Sequence, residues 1–408
     1  MTRLFPLLAL LAVIGVSACT APEAGTVRFL TINIEDIRTD DLLNPHHPRL
    51  KAIAAQIQLL KPDVVLVNEM AFDMPGVPGF VEGESPGLNA ERFASTFLSV
   101  PQTPTGQGIE YVSFMAPSNT GINSGFDLNH NGQAVTSYPE PPSAAPDGTP
   151  ASQTPDGRAY GDDSWGFGTF PGQYAMALLV RPDRVELLGA QARTFRRYPW
   201  AGLPDAKRPI DPETGESWYP QEVWERFPLS SKTHWDVPVR LSDGRVVHVL
   251  ASHPTPAAFD GDEMRNKMRN HDEIRFWGEY ITGQPYMMDD TETRGGLPAG
   301  AEFVIMGDLN ADPDEGSAIG DPIGTWLLSN PRVNGDFVPL ADEAGLAAFP
   351  DLDPDDTARW GLRVDYVLPS LGLDVVRGGI FRPAVDAAVT SDHFPVWIDV
   401  ALQPAAKD

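Results

Sequence analysis

Eight polar residues stand at or beside the ends of extended, apolar runs: Asn33, Glu69, His253, Asp308 and Asn310 close four of them, Asp365 lies in the next, and the pair Asp392-His393 precedes the last. Polar groups delivered from several strand ends point to one shared site. Glu69 and Asn33, a carboxylate and an amide oxygen, make a hard oxygen site for Mg2+ or Mn2+, which keeps several waters and binds a phosphoryl group directly. Asp308 can orient and deprotonate an attacking water. Asn310, two residues on and on the same face of an extended segment, can donate to a phosphoryl oxygen. His393, held by a buried Asp365, offers an oriented imidazole to a charged transition state. Hydrolysis of a phosphoester uses all of them. Taken singly, Asn33 or Asp365 serves equally well as a turn or capping residue, Glu69 as an ion-pair partner and His253 as a turn histidine before proline. Taken together, those bland uses require six coincidences in order.

The elements that must position these groups are legible from pattern. Strands are expected at 26–34, 64–69, 173–180, 245–252, 302–310, 363–370 and 394–400, with helices from Leu50 to Leu60, stopped at Pro62, and over 263–281. Residues 114–172 are rich in Gly, Pro, Asn and Asp with little periodicity, as in a long functional or disordered loop. The aromatics of "DDSWGFGTF" within it are read as pins to the core.

Composition narrows the partners. With 30 Lys+Arg against 56 Asp+Glu, a net charge of −26 opposes the counterion release that drives tight binding to a nucleic-acid backbone. A small phosphate ester, met by a local basic pocket, is the expected partner; nucleic acid enters only as a substrate, and no protein partner is implied. Residues 1–18 read as an export signal with a short apolar stretch, and Cys19, the single cysteine, closes a "VSAC" that resembles a bacterial lipobox. A lipid anchor at Cys19 would place the protein on the outer membrane or cell surface; plain cleavage after Ala18 would leave it periplasmic or extracellular. Residues 19–25 form a linker, 26–402 one folded domain and 403–408 a tail. With one cysteine, no disulfide forms within the chain.

In order along the chain, "TINIED", "VVLVNEM", "ASHPT", "IMGDLNADP", "RVDYVLPS" and "SDHFPV" resemble the motifs of the endonuclease/exonuclease/phosphatase superfamily, the DNase-I-like fold, from about Val27 to Leu402. The resemblance implies a four-layered α/β sandwich, two mixed sheets face to face with helices outside. It implies metal ligation by Asn33 and Glu69, with Asp392 completing the metal region and Glu35 at a second-site acid position. His253 would contact the phosphate, Asp308 position the water, Asn310 serve the transition state and Asp365 orient His393.

The run "SHPTPAAFDGDEMRNKMRNHDEIRFW" (252–277) crowds charge into a short span. It resembles a secreted bacterial subfamily, together with "APSNTG", "FGTFPGQYAMALL" and "LSSKTHWDVPV"; Ala257-Ala258 and Lys267-Met268 depart from that pattern. Arg265, Arg269 and Lys232 could supply the positive field a small phosphate needs, with Arg269, Asn270 and His271 closing over it beside His253. The competing use is a helix surface with Arg269 and Glu273 paired at i,i+4 spacing. "DLNHNG" (127–132) matches the opening of a calcium loop through Asp127, Asn129 and Asn131, though position 12 is Tyr138 and an ordinary Asn-Gly turn suits it as well. Ca2+ therefore stands beside Mg2+ and Mn2+ as a candidate ion. The leading expectation is a secreted metal-dependent phosphoesterase acting on small organic phosphates. The alternatives are an extracellular nuclease or sphingomyelinase-like phosphodiesterase, and a non-catalytic surface lipoprotein on the same fold.

Overall fold

A computed structural model describes residues 22, 25–385 and 387–403. Cys19 and the lipobox lie outside the described residues, as does most of the tail. No helix among the described residues is long and apolar enough to cross a membrane.

Among the described residues, twelve strands form two mixed sheets. They are β1 (Thr26–Ile37), β2 (Val64–Met70), β3 (Val112–Phe114), β4 (Met176–Val180), β5 (Val185–Leu187), β6 (Arg193–Thr194), β7 (His234–Leu241), β8 (Val246–Ser252), β9 (Glu302–Asp308), β10 (Asp365–Pro369), β11 (Val375–Ile380) and β12 (Val396–Ala401). The first sheet runs β11-β12-β1-β2-β4-β3 and the second β10-β9-β8-β7-β5, with β6 paired to β7.

Side-chain alternation builds the layers. Val27 and Phe29 of β1, Val64 and Leu66 of β2, Val247 and Val249 of β8, and Val304 and Met306 of β9 share one buried cluster between the sheets. The opposite parity of the first sheet, Leu30, Ile32, Val65 and Val67, packs with Ile53 and Ile57 of the helix Pro48–Leu60. On the second sheet, Leu250, Phe303, Ile305 and Tyr366 pack with Ile274 and Trp277 of the helix Arg265–Ile281. Helix, sheet, sheet and helix stack as four layers, the DNase-I-like sandwich.

The same parity aims the chemistry. Continued past the apolar residues that face the opposite sheet, it carries Asn33 on β1, His253 after β8, Asp308 on β9 and Asp365 on β10 to the rim of the inter-sheet layer. Glu69 has the wrong parity, sharing that of Val65 and Val67. Its backbone takes the left-handed conformation, φ 67°, which re-aims the carboxylate toward Asn33.

Two expectations about local structure change. Asn310 does not continue an extended segment: β9 ends at Asp308, Asn310 has φ 53°, and its amide donates to Asp308 Oδ1 at 3.0 Å. The 114–172 segment is not structureless. It holds the helix Pro155–Asp162, capped by Thr154, and is cross-tied by Asp163, whose carboxylate accepts from the amides of Leu128 and Val135. Trp165 packs against Phe126 and Phe227.

Candidate active site

Asp308 is the hub, almost fully buried. Its Oδ2 accepts from Asn33 Nδ2 at 3.1 Å, with His253 Nε2 at 3.4 Å and His393 Nε2 at 3.7 Å. Gly307 makes this approach possible: a Cβ there would lie 1.9 Å from Ser252 O, so only glycine lets the end of β9 close onto the end of β8. Asp365 pairs with Asp308 across the β9–β10 ladder, and its Oδ2 lies 2.8 Å from His393 Nδ1. Asn33 Nδ2 also reaches Glu69 Oε1 at 3.0 Å, while Glu69 Oε2 accepts the Asp36 amide. Between Asn33 and Ile37 the β1–β2 register shifts, and Glu35 and Asp36 both take positive φ, bulging Glu35 outward beside the acids.

The charges separate by environment. Burial alone would lower the His393 pKa, but the carboxylates of Asp365, Asp308 and Asp392 outweigh it and raise it to about 10, so the ring is an imidazolium. His253 goes the other way, to about 4, through burial and the nearby Lys232 charge, and stays neutral. Burial pushes the Asp308 carboxyl up, yet His393 and His253, with hydrogen bonds from His253 and Asn33, hold it well below the usual carboxylate range. Glu69 is raised to about 7 by burial and by the charges of Asp392 and Asp308. Glu35 is raised by burial and Asp392. Glu69, Glu35, Asp392 and Asp308 thus repel one another around one space, a donor set that a divalent cation fits. By distance the His and carboxylate ligand atoms fall into Glu69-His253-Asp308 and Asp308-Asp365-His393. In the second group the charged His393 has no lone pair to give.

The model of the Endonuclease/Exonuclease/phosphatase family matches residues 31–393. The chain belongs to this family. Its members are phosphoester hydrolases that generally use divalent metals. No curated protein matches the sequence. Among solved structures, the endonuclease/exonuclease/phosphatase from Beutenbergia cavernae is 18% identical, covering 93% of this chain and 72% of its own, with a TM-score of 0.49. The human Nocturnin catalytic domain with bound sulfate is 13% identical over 94% and 96% of the two chains, TM-score 0.45. The mannosyl-6-phosphatase of Bacteroides thetaiotaomicron is 12% identical over 92% and 98%, TM-score 0.41.

In this family member the charged helix Arg265–Ile281 supports the site from behind. Arg269 donates to the carbonyls of Pro228 and Leu229, both at 2.9 Å, and its guanidinium lies over Phe227; it does not face the phosphate space. His271 sits on Asp272 at 2.9 Å and takes the indole N–H of Trp326 at 3.4 Å. Arg265 reaches Leu128 O, Asp162 and Glu263. Arg269 and His271 are buried and Arg265 half-buried, and each spends its donors on the acceptors around it instead of the expected phosphate space. Asn270 Nδ2 donates to Thr255 O and Leu309 O, joining the loop after His253 to the loop of Asn310. Of the basic residues named from sequence, Lys232 alone is brought to the site. Its Nζ is buried 3.1 Å from Pro254 O, the same carbonyl that takes Asn310 Nδ2, and its pKa is lowered by burial against the charges of Glu273, Glu69 and Asp308.

Two functional supports escape the sequence reading. Glu273 accepts the amides of Ser231 and Thr255, one per oxygen, and so fixes the loops on either side of Lys232 and His253. Arg49 donates to the carbonyls of Ile34, Glu35, Gly148 and Thr390, binding the Glu35 bulge to the segment before Asp392. The i,i+4 pair expected of Arg269 and Glu273 is instead made by Arg275 and Glu279. In the 127–132 loop, Asp127, Asn129 and Asn131 accept amides of Asn131, Gly132 and Gln133, so their oxygens already close the turn.

Proposed function

We propose that the protein is an exported, lipid-anchored phosphoesterase that hydrolyses small organic phosphate esters with a directly attacking water. The single observation that carries this is the arrangement around Asp308: a buried carboxylate whose Oδ2 is approached by Asn33 Nδ2, His253 Nε2 and His393 Nε2, with Asp365 on the other nitrogen of His393. Asp308 accepts a hydrogen bond from the water and orients it toward phosphorus. His393, fixed in its ring orientation by Asp365, donates from Nε2 to a phosphoryl oxygen as charge grows there. Lys232 adds fixed positive charge from beneath, and Asn310, steadied by Pro254 O, holds its amide at the same rim. Mg2+ or Mn2+ held by Glu69, Asn33 and Asp392, with Glu35 at the edge, would neutralise phosphoryl and leaving-group charge when bound. Placement at the cell surface rests on the leader and Cys19 alone.

The test is hydrolysis of matched phosphate monoester and diester reporters by protein lacking residues 1–19, with Mg2+, Mn2+ or Ca2+ restored after chelation, beside Asp308→Ala. Metal-dependent monoester turnover lost in the variant supports the reading. Diester preference replaces it with the nuclease or phosphodiesterase reading, and no turnover on either reporter replaces it with a non-catalytic lipoprotein.

A further inference from the structure

Trp360 stands at the tip of a short hairpin over residues 357–362. The amides of Thr357 and Ala358 donate to Leu362 O at 3.0 and 3.1 Å, Gly361 donates back to Ala358 O, and Gly361 turns the chain with φ 79°. The hairpin is docked on the segment that carries the catalytic pair: Arg359 N donates to Asp392 O at 2.8 Å and Phe394 N to Thr357 O at 2.7 Å. Arg359 Nε adds a bond to Ser391 O at 3.0 Å, and Ala358 bridges His393. Backbone bonds on both sides thus fix where the tip lies relative to His393.

The indole set there is 50% exposed. Its one ring contact among the described residues is His393 itself, perpendicular at 88° with centroids 4.9 Å apart. A single exposed tryptophan is unremarkable on a protein surface. An exposed tryptophan held by these backbone bonds against the imidazole assigned to the phosphoryl group is a different object, because an organic group on that phosphate comes within its reach. A planar apolar face at that point favours a planar π system by stacking, and gains little from a flexible polyol.

We propose that Trp360 is the specificity-determining residue of the site: its indole forms a wall on which the ester's planar ring stacks, so the preferred substrates are aryl or nucleoside phosphates. This rests on the phosphoester-hydrolase reading of the same site.

The test reads binding, not turnover. Calorimetric affinities of phenylphosphonate, cyclohexylphosphonate and methylphosphonate are compared in the Mg2+-loaded native protein, Trp360→Phe and Trp360→Ala. The native protein and Trp360→Phe are expected to bind the phenyl ligand about tenfold more tightly than either ringless or saturated one, and Trp360→Ala to bind all three alike. Adenosine 5′-phosphate against ribose 5-phosphate then identifies the source: an adenosine advantage larger than the phenyl one makes the ring a nucleobase, a smaller one a simple aryl group. A phenyl preference near one in the native protein, a preference unchanged in Trp360→Ala, or no binding of any phosphonate overturns the proposal. A protein that shows the preference yet hydrolyses no ester overturns the hydrolase reading and leaves the wall standing.

Discussion

His253 and His393 approach the same oxygen of Asp308, at 3.4 and 3.7 Å, yet their surroundings drive their pKa values apart, to about 4 and about 10. The difference lies in their other neighbours. His393 has Asp365 on Nδ1, whereas His253 has Lys232 nearby and, among the described residues, no partner for Nδ1. Of the two rings, only His393 carries a positive charge, the one the proposed mechanism brings to a phosphoryl oxygen. His393→Gln, which keeps a donor and removes the charge, is expected to lower kcat by about 10²–10³ with a smaller change in KM; steady-state kinetics on a monoester reporter measures it.

Arg269 and Lys232 separate stability from binding. Arg269→Ala strands the carbonyls of Pro228 and Leu229, so a loss of roughly 2–3 kcal/mol in urea unfolding is expected, with KM nearly unchanged. Lys232→Met keeps the buried stem and removes the charge beside Asp308. Its kcat/KM for phosphate monoesters is expected to fall about tenfold or more while its melting temperature holds.

His234 reports on acid stability away from the metal region. Its Nδ1 faces Ser230 Oγ at 2.6 Å and its Nε2 donates to Glu273 O at 2.9 Å, the neutral tautomer. Burial lowers its pKa from 6.5 to about 4, so between those values the unfolded chain binds the proton and the folded one does not. The stability present above pH 6.5 therefore drains as pH falls toward 4, at up to about 1.4 kcal/mol per pH unit. His234→Gln is expected to flatten that part of the curve; chemical denaturation from pH 7 to 4 compares the two, and parallel curves would refute the assignment.

Arg28 and Asp399 lie fully buried, joined through Nε at 2.6 Å and Nη2 at 2.8 Å, with the guanidinium 3.8 Å from the centre of the Trp397 ring. Asp399 also accepts from Arg377 Nε at 2.8 Å, so losing its carboxylate takes a shared ion-pair partner from two guanidinium groups. Asp399→Ala is expected to cost about 3–5 kcal/mol in denaturant unfolding. The paired change Arg28→Met with Asp399→Leu is expected to recover much of that loss.

The meeting of Asn33, His253, Asp308 and Asp365 was readable because parity places them: a polar residue continuing the inward face of an apolar strand ends at the rim between the sheets. Strands β3, β5, β6, β7 and β11 were not anticipated, the first three for their shortness. Pro238 sits mid-strand in β7, paired with His248, and β11 carries Gly378-Gly379; both patterns normally argue against a strand. The phosphate roles of Arg265, Arg269 and His271 failed for another reason. Charge alone does not reveal which face of a helix is buried, and here Arg269, Asn270, Asp272 and Glu273 all point inward, where loops supply their partners. Local propensity likewise could not foretell the left-handed Glu69, since that conformation answers to the site and not to the strand.

The strand that opens the fold lies in the middle of its sheet, with β2 on one edge and β12 on the other. Thr26 pairs with Ala401 and Thr31 with Val396, so one edge of β1 stays open until the last strand of the domain arrives. A chain delivered from its beginning, whether by a ribosome or through a translocation channel, can assemble the β1–β2 half early and must then wait. During that interval Arg28 has not met Asp399, and the Asp392-His393 segment has not reached the rim. Closure of the sheet and completion of the active centre are consequently one late event, and a truncated or stalled chain would expose an open strand edge instead of partial activity.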